Sequence, residues 1–100
     1  MFRHIVMWNL TDPADLERFA TQLRSVAGVV DGILEFDVGV KTEGLNANFD
    51  VVLVSSFVDE EAFKAYQVHP GHRKVADFLG TLAASRAIID YVSDASAKGA

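Results

Sequence analysis

An α+β fold, with one four-stranded antiparallel sheet backed by helices on a single face, is what this sequence predicts, and three observations carry it. Four segments are rich in β-formers or alternate apolar and polar residues. Two intervening stretches carry apolar residues at helical spacing. Their order, βαββαβ, is the ferredoxin-like arrangement of helices over an antiparallel sheet. One hundred residues, half of them hydrophobic, suffice for one core. Residues 1–92 are assigned to a single domain, and 93–100, small and polar, to a tail expected to fray.

The first strand is Phe2 to Leu10, with Phe2, His4, Val6, Trp8 and Leu10 on one side and Arg3, Ile5, Met7 and Asn9 on the other. Thr11, Asp12 and Pro13 form a helix start, a capping side chain followed by a proline where no amide hydrogen is needed. Leu16, Phe19, Ala20, Leu23, Val26 and Ala27 then recur at helical spacing up to Gly28. Ile33 to Val40 alternates, setting Leu34, Phe36, Val38 and Val40 against Ile33, Glu35, Asp37 and Gly39, and predicts a strand with one wetter face. A polar loop, Lys41 to Asn48, leads to the third strand at Phe49 to Phe57, apolar on both faces.

Asp59 caps a short helix carrying Ala62, Phe63 and Tyr66. Pro70 forbids helical geometry just before it, so the break falls at Val68 to His69, and Pro70 opens a third helix through Leu82. Ser85 to Val92 supplies the fourth strand. Helices cover one side of such a sheet, yet Ile5, Met7, Val52 and Val54 make the other side apolar too. A second copy meeting sheet to sheet, a homodimer, closes that surface on itself.

Composition excludes several classes of function. The formal net charge is −5, and its nine basic residues form no cationic stripe, so neither nucleic acid nor an anionic membrane is an expected partner. Without cysteine there is no disulfide, thiolate metal site or cysteine nucleophile. The opening apolar segment is too short to span a bilayer and lacks the pattern of a signal peptide, which makes a cytoplasmic location the expectation. No stretch forms a phosphate-cradling loop, and no cofactor is expected.

Polar groups on an otherwise apolar inner surface mark a pocket, and His4, Tyr66 and His72 are placed to converge there, beside Val6, Trp8, Phe19, Val75 and Leu79 as apolar wall. A small apolar or aromatic molecule is the ligand such a pocket expects. His72, in the first turn of its helix, should be held neutral by the partial positive charge of the helix end. A neutral imidazole accepts a proton from a carbon acid, while a phenol donates to an oxygen on which charge develops. Under a simpler reading His72 satisfies a helix end and Tyr66 is an amphipathic core residue. His69 and His72 make a poor metal pair, since a helix starts between them; His69 is expected to cap the break.

Three runs carry a family resemblance: His4-Ile5-Val6-Met7-Trp8, Phe49-Asp50-Val51-Val52-Leu53 and Tyr66-Gln67-Val68-His69-Pro70-Gly71-His72. Together they resemble the stress-responsive A/B barrel (Dabb) family, to about Val92. The resemblance implies a dimeric α+β barrel of ferredoxin-like protomers. Because a plant polyketide cyclase of that family shares the last run, it further implies an oxygen-stabilising role for Tyr66 and a catalytic base in His72, with His4 and His69 at the pocket. Three functions stay open on the sequence: a cofactor-independent cyclase or isomerase, a non-catalytic stress-related or ligand-binding dimer, and a monooxygenase, cofactor-free or acting on haem, with Trp8, Asn9 and His72 as its natural residues. Alternation along the first strand sends Asn9 away from Trp8 and counts against that trio.

Overall fold

A computed structural model describes residues 1–94. The chain runs β1 (Phe2–Leu10), a 3₁₀ turn (Pro13–Asp15), α1 (Leu16–Arg24), β2 (Ile33–Val40), β3 (Val51–Phe57), α2 (Glu60–Val68), α3 (Pro70–Leu82) and β4 (Ala83–Val92). The four strands form one antiparallel sheet in the order β2-β3-β1-β4, so the α+β, ferredoxin-like expectation holds. Residues 95–100, most of the expected tail, lie outside the described residues. Ser93, also assigned to the tail, is tied down: its N–H donates to the Met1 carbonyl at 2.8 Å, and the Met1 amine donates to the Ser93 carbonyl at 3.0 Å.

β1 shows the predicted alternation, with His4, Val6, Trp8 and Leu10 buried and Ile5, Met7 and Asn9 half-buried. Residues opposite one another on antiparallel strands share a face. The inner face therefore continues into Leu53 and Ser55 of β3 and into Ile88 and Asp90 of β4. β2 departs from simple alternation. A register shift between Ile33 and Glu35 sets Ile33 opposite Phe57, packed into the core, and leaves Leu34 55% exposed. An extra residue in one strand turns every side chain before it to the other face, which is why Ile33 and Leu34 exchange their expected sides.

Helix ends follow local chemistry. The Asp12 carboxylate accepts from the Ala14 N–H at 3.0 Å, and that of Asp59 accepts from the Ala62 N–H at 2.9 Å. α1 ends at Arg24, short of Gly28, as the Ser25 hydroxyl donates to the Gln22 carbonyl and the chain enters turns. Val26 is nonetheless buried. The approach to α2 needs a glycine at 32: its φ is +90°, and a Cβ there would stand 2.8 Å from that of Ala62.

Two apolar clusters fill the space between helices and sheet. One gathers Val6, Trp8, Phe19, Leu23, Leu53 and Leu79; the other gathers Val26, Phe57, Phe63 and Tyr66. Phe19 and Phe57 are fully buried, each contributing roughly 2–3 kcal/mol. β3 begins two residues later than expected because Asp50 serves as a clamp. Its N–H donates to the Trp8 carbonyl at 2.9 Å, while its carboxylate accepts from the Leu10 N–H at 2.8 Å and meets the Lys41 ammonium at 2.9 Å.

Candidate functional site

The two clusters do not close on one another. Between them lies a cavity of about 420 Å³, bounded by α3 on one side and by β1 and β4 on the other. That volume falls within the roughly 300–1,000 Å³ of small-molecule pockets. His4, Tyr66 and His72 meet at one end, and Val6, Trp8, Val75 and Leu79 contribute apolar wall. Small residues of α3 and β4, among them Ala76, Gly80, Ala83 and Ala84, make the remaining room. A broader depression of about 500 Å³ lies under the 41–50 loop, and its two ionisable groups, Lys41 and Asp50, already pair with each other.

The run 66–72 builds this end of the cavity from two helix termini. Tyr66 sits in the last turn of α2, and the His69 N–H donates to its carbonyl at 3.2 Å, closing that helix. His69 then caps α3: its Nδ1 accepts from the Gly71 N–H at 3.0 Å. Pro70 occupies the first helical position, and Gly71 allows the cap, since a Cβ at 71 would lie 3.1 Å from His69 Nδ1. His72 follows one residue later and lies against Tyr66, with ring centroids 4.1 Å apart.

The Tyr66 phenol is 1% exposed, and burial pushes its pKa well above 10, so at neutral pH it is a hydrogen-bond donor. Burial also lowers the pKa of His72 below 6.5, helped by the neighbouring His4 and His69 and opposed by the Gln67 carbonyl. The lowered value favours the neutral form expected of His72, with desolvation rather than the helix end as its principal cause. His72 Nδ1 lies 3.3 Å from the Gln67 carbonyl oxygen, which can only accept. Nδ1 must then carry the hydrogen, and Nε2 keeps the lone pair.

His4 is held by a residue that the sequence reading passed over. Its Nδ1 stands 2.5 Å from a carboxylate oxygen of Asp90, directly opposite on β4, and its ring is 6.5 Å from that of Tyr66. The inner row of β4 is Arg86, Ile88 and Asp90, and its outer row is Ala87, Ile89 and Tyr91. The signal was available: in a ferredoxin-like sheet the last strand pairs with the first, and counting back along β4 sets an acid opposite His4.

Two residues expected at the pocket wall stand elsewhere. Phe19 is fully buried behind Trp8, at 5.1 Å edge to face, and the His69 side chain is occupied as a helix cap. Neither lines the cavity. The trio Trp8, Asn9 and His72 is divided: Trp8 and His72 line the cavity, whereas Asn9 lies on the other face of β1 and donates to the Ser85 hydroxyl at 3.3 Å. Among the described residues no group of three or more His, Cys, Asp or Glu side chains is placed to hold a metal ion, and no helix is long and apolar enough to cross a membrane.

The family model for the Stress Responsive A/B Barrel Domain, Dabb, matches residues 2–93. The chain belongs to the Dabb family. Among solved structures, this Dabb chain is similar to a dimeric ferredoxin-like protein of unknown function from Thermobifida fusca, at 24% identity and a TM-score of 0.81, covering 92% of this chain and 90% of that one. It is similar to a Dabb family protein with a ferredoxin-like fold from Mesorhizobium loti, at 22% identity and a TM-score of 0.76, covering 92% and 95%. An antibiotic biosynthesis monooxygenase shares the fold at 10% identity and a TM-score of 0.76, covering 93% and 98%. No curated protein matches the chain.

Proposed function

We propose that this Dabb domain is a cofactor-independent enzyme of the cyclase or isomerase type, acting on a small enolisable carbonyl compound. The observation that carries the proposal is the pairing of buried Tyr66 with half-buried His72, an acid and a base in ring contact at the end of a cavity. His72 Nε2 takes a proton from the carbon next to the substrate carbonyl. The Tyr66 hydroxyl donates a hydrogen bond to the enolate oxygen as charge forms there. In a cyclase the enolate carbon then attacks a second carbonyl of the same molecule, and the imidazolium returns the proton to the new alkoxide. In an isomerase the proton returns to a different carbon. His4, oriented by Asp90, lies beside the pair and can hold a second polar group of the substrate.

Exchange of the α-protons of simple 1,3-diketones in D₂O, followed by proton NMR, tests the first step without knowledge of the natural substrate. His72→Ala should remove enzyme-dependent exchange, and Tyr66→Phe should slow it by about 10²-fold or more. Unchanged exchange in both folded variants would sink the proposal.

The apolar lining of the cavity favours a second reading, a non-catalytic binder of a small apolar or aromatic ligand, for which those substitutions would change affinity or stability only. Either function is compatible with a homodimer. Ile5, Met7, Val52 and Val54 stand on the sheet face that no helix covers, together with Ile89, 58% exposed. On that face the Nε of Arg3 is buried without a hydrogen-bond partner, a cost that an acceptor from a second copy would offset. Dimeric relatives of the same fold support this reading.

A further inference from the structure

At the end of the cavity opposite the histidines lies one full positive charge. Arg86 is on the inner row of β4, facing Trp8 across the strand pair, and it lines the cavity. Acidic residues outnumber basic ones by 14 to 9 in the whole chain, yet no aspartate or glutamate lines this space. Four other cations are engaged: Arg18 with Asp15, Lys41 with Asp50, Lys64 with Glu60 and Glu61, and Arg24 with the Val38 carbonyl. Among the described residues Arg86 has no hydrogen-bond, ion-pair or ring partner. Asp90, the acid on the same row, is taken up by His4.

We propose that Arg86 selects ligands bearing a carboxylate on an apolar body. A guanidinium presents paired donors that match a carboxylate edge, and Arg86, though exposed on its outer side, offers them at the rim of the cavity. Carboxylate rather than phosphate fits the surroundings, since Arg86 is the one Lys or Arg side chain of the lining and a dianion is matched by several charged donors. Four residues of antiparallel strand separate Arg86 from the position opposite His4, roughly 13 Å. A ligand anchored at Arg86 thus lays its apolar body along Val6 and Ile88 and brings its far end to His4, Tyr66 and His72. This rests on the reading of the cavity as the substrate site and adds the substrate's class.

Trp8 is the chain's one tryptophan and lines the cavity, so its fluorescence reports occupancy. Nonanoate and nonan-1-ol, alike in chain length and different in charge, are the probes, titrated into the full chain at low salt with calorimetry alongside. The expected result is binding of nonanoate about tenfold or more tighter than nonan-1-ol. Arg86→Met, which keeps an apolar stem, should bring nonanoate to the level of the alcohol and leave the alcohol unchanged, while Arg86→Lys restores part of the difference. Equal binding of the two probes to the parent protein, or full nonanoate affinity in a folded Arg86→Met, overturns the role of Arg86 and leaves the cavity reading standing. Binding of neither probe overturns both. Arg86-dependent nonanoate binding with diketone exchange indifferent to His72→Ala upholds this proposal and removes the catalytic one.

Discussion

The rings of Tyr66 and His72 lie 4.1 Å apart although they belong to different helices. One is the final turn of α2 and the other the first turn of α3, so the distance between them is set by the joint at His69, Pro70 and Gly71. A base and an acid positioned by a short rigid corner do not depend on a distant loop for their alignment.

The first prediction concerns pH. Burial lowers the His72 pKa, so the base stays neutral below the ordinary value of 6.5, and raises that of Tyr66, so the phenol keeps its proton above 10. kcat/KM for α-proton exchange should rise with a midpoint below pH 6.5 and then stay level through pH 10. Stability should follow the same signs. Between the folded pKa of His72 and 6.5 the unfolded chain binds the extra proton, so stability falls as pH drops through that window. Denaturation midpoints across pH 4–8 in the parent protein and in His72→Gln check this, the variant losing that part of the slope.

The joint itself is the second. Removing the cap with His69→Ala should cost about 1 kcal/mol, and His69→Asn should recover most of it. Gly71→Ala pushes a methyl to within 3.1 Å of the capping nitrogen and should cost a similar amount. In both variants the exchange rate should fall more than stability alone explains, because His72 shifts against Tyr66. Urea melts paired with exchange rates at full folding separate the two effects.

Asp50 gives a third. The Leu10 N–H first, and the Lys41 ammonium second, hold its pKa below the ordinary 3.8. The stability it adds is complete above about pH 4 and disappears as pH falls through the lowered value. Asp50→Asn keeps an acceptor for Leu10 and loses the charge; it should destabilise the protein at pH 7 by about 1–2 kcal/mol and much less near pH 2, as chemical melts at the two pH values would show.

The fourth is an outer-face test. Ile5→Glu puts a charge in the centre of the proposed sheet-to-sheet contact and should yield monomers in analytical ultracentrifugation where the parent sediments as a dimer. A monomeric parent at micromolar concentration would remove the dimer from the proposal.

Much of the fold was legible in the sequence because its signals are local. Alternation from Phe2 to Leu10 gave both faces of β1, and Asp59, His69 and Pro70 marked helix ends by chemistry that acts within three residues. What stayed hidden depends on pairing between distant segments. The bulge that exchanges Ile33 and Leu34 is visible only against β3. The partnership of His4 with Asp90 and the place of Arg86 opposite Trp8 follow from the β1–β4 register, which fixes the inner row of an edge strand whose own residues are mostly exposed. Phe19 was expected at the wall because helical spacing gives the buried face of α1 but not its depth, and Trp8 stands in front of it.

The cavity's two ends are written in separate stretches of chain. The proposed acid and base belong to the run 66–72, with His4 beside it, while the opposite wall comes from small residues late in α3 and early in β4. A Cβ added at Gly80, one of the lining residues, meets nothing within 4 Å, so a larger residue fits there without a clash. Changes there can resize the accepted molecule while leaving the corner that aligns acid and base untouched. Under the proposed function, such a division would let one reaction be offered to many substrates, each admitted by a few side chains that take no part in the chemistry.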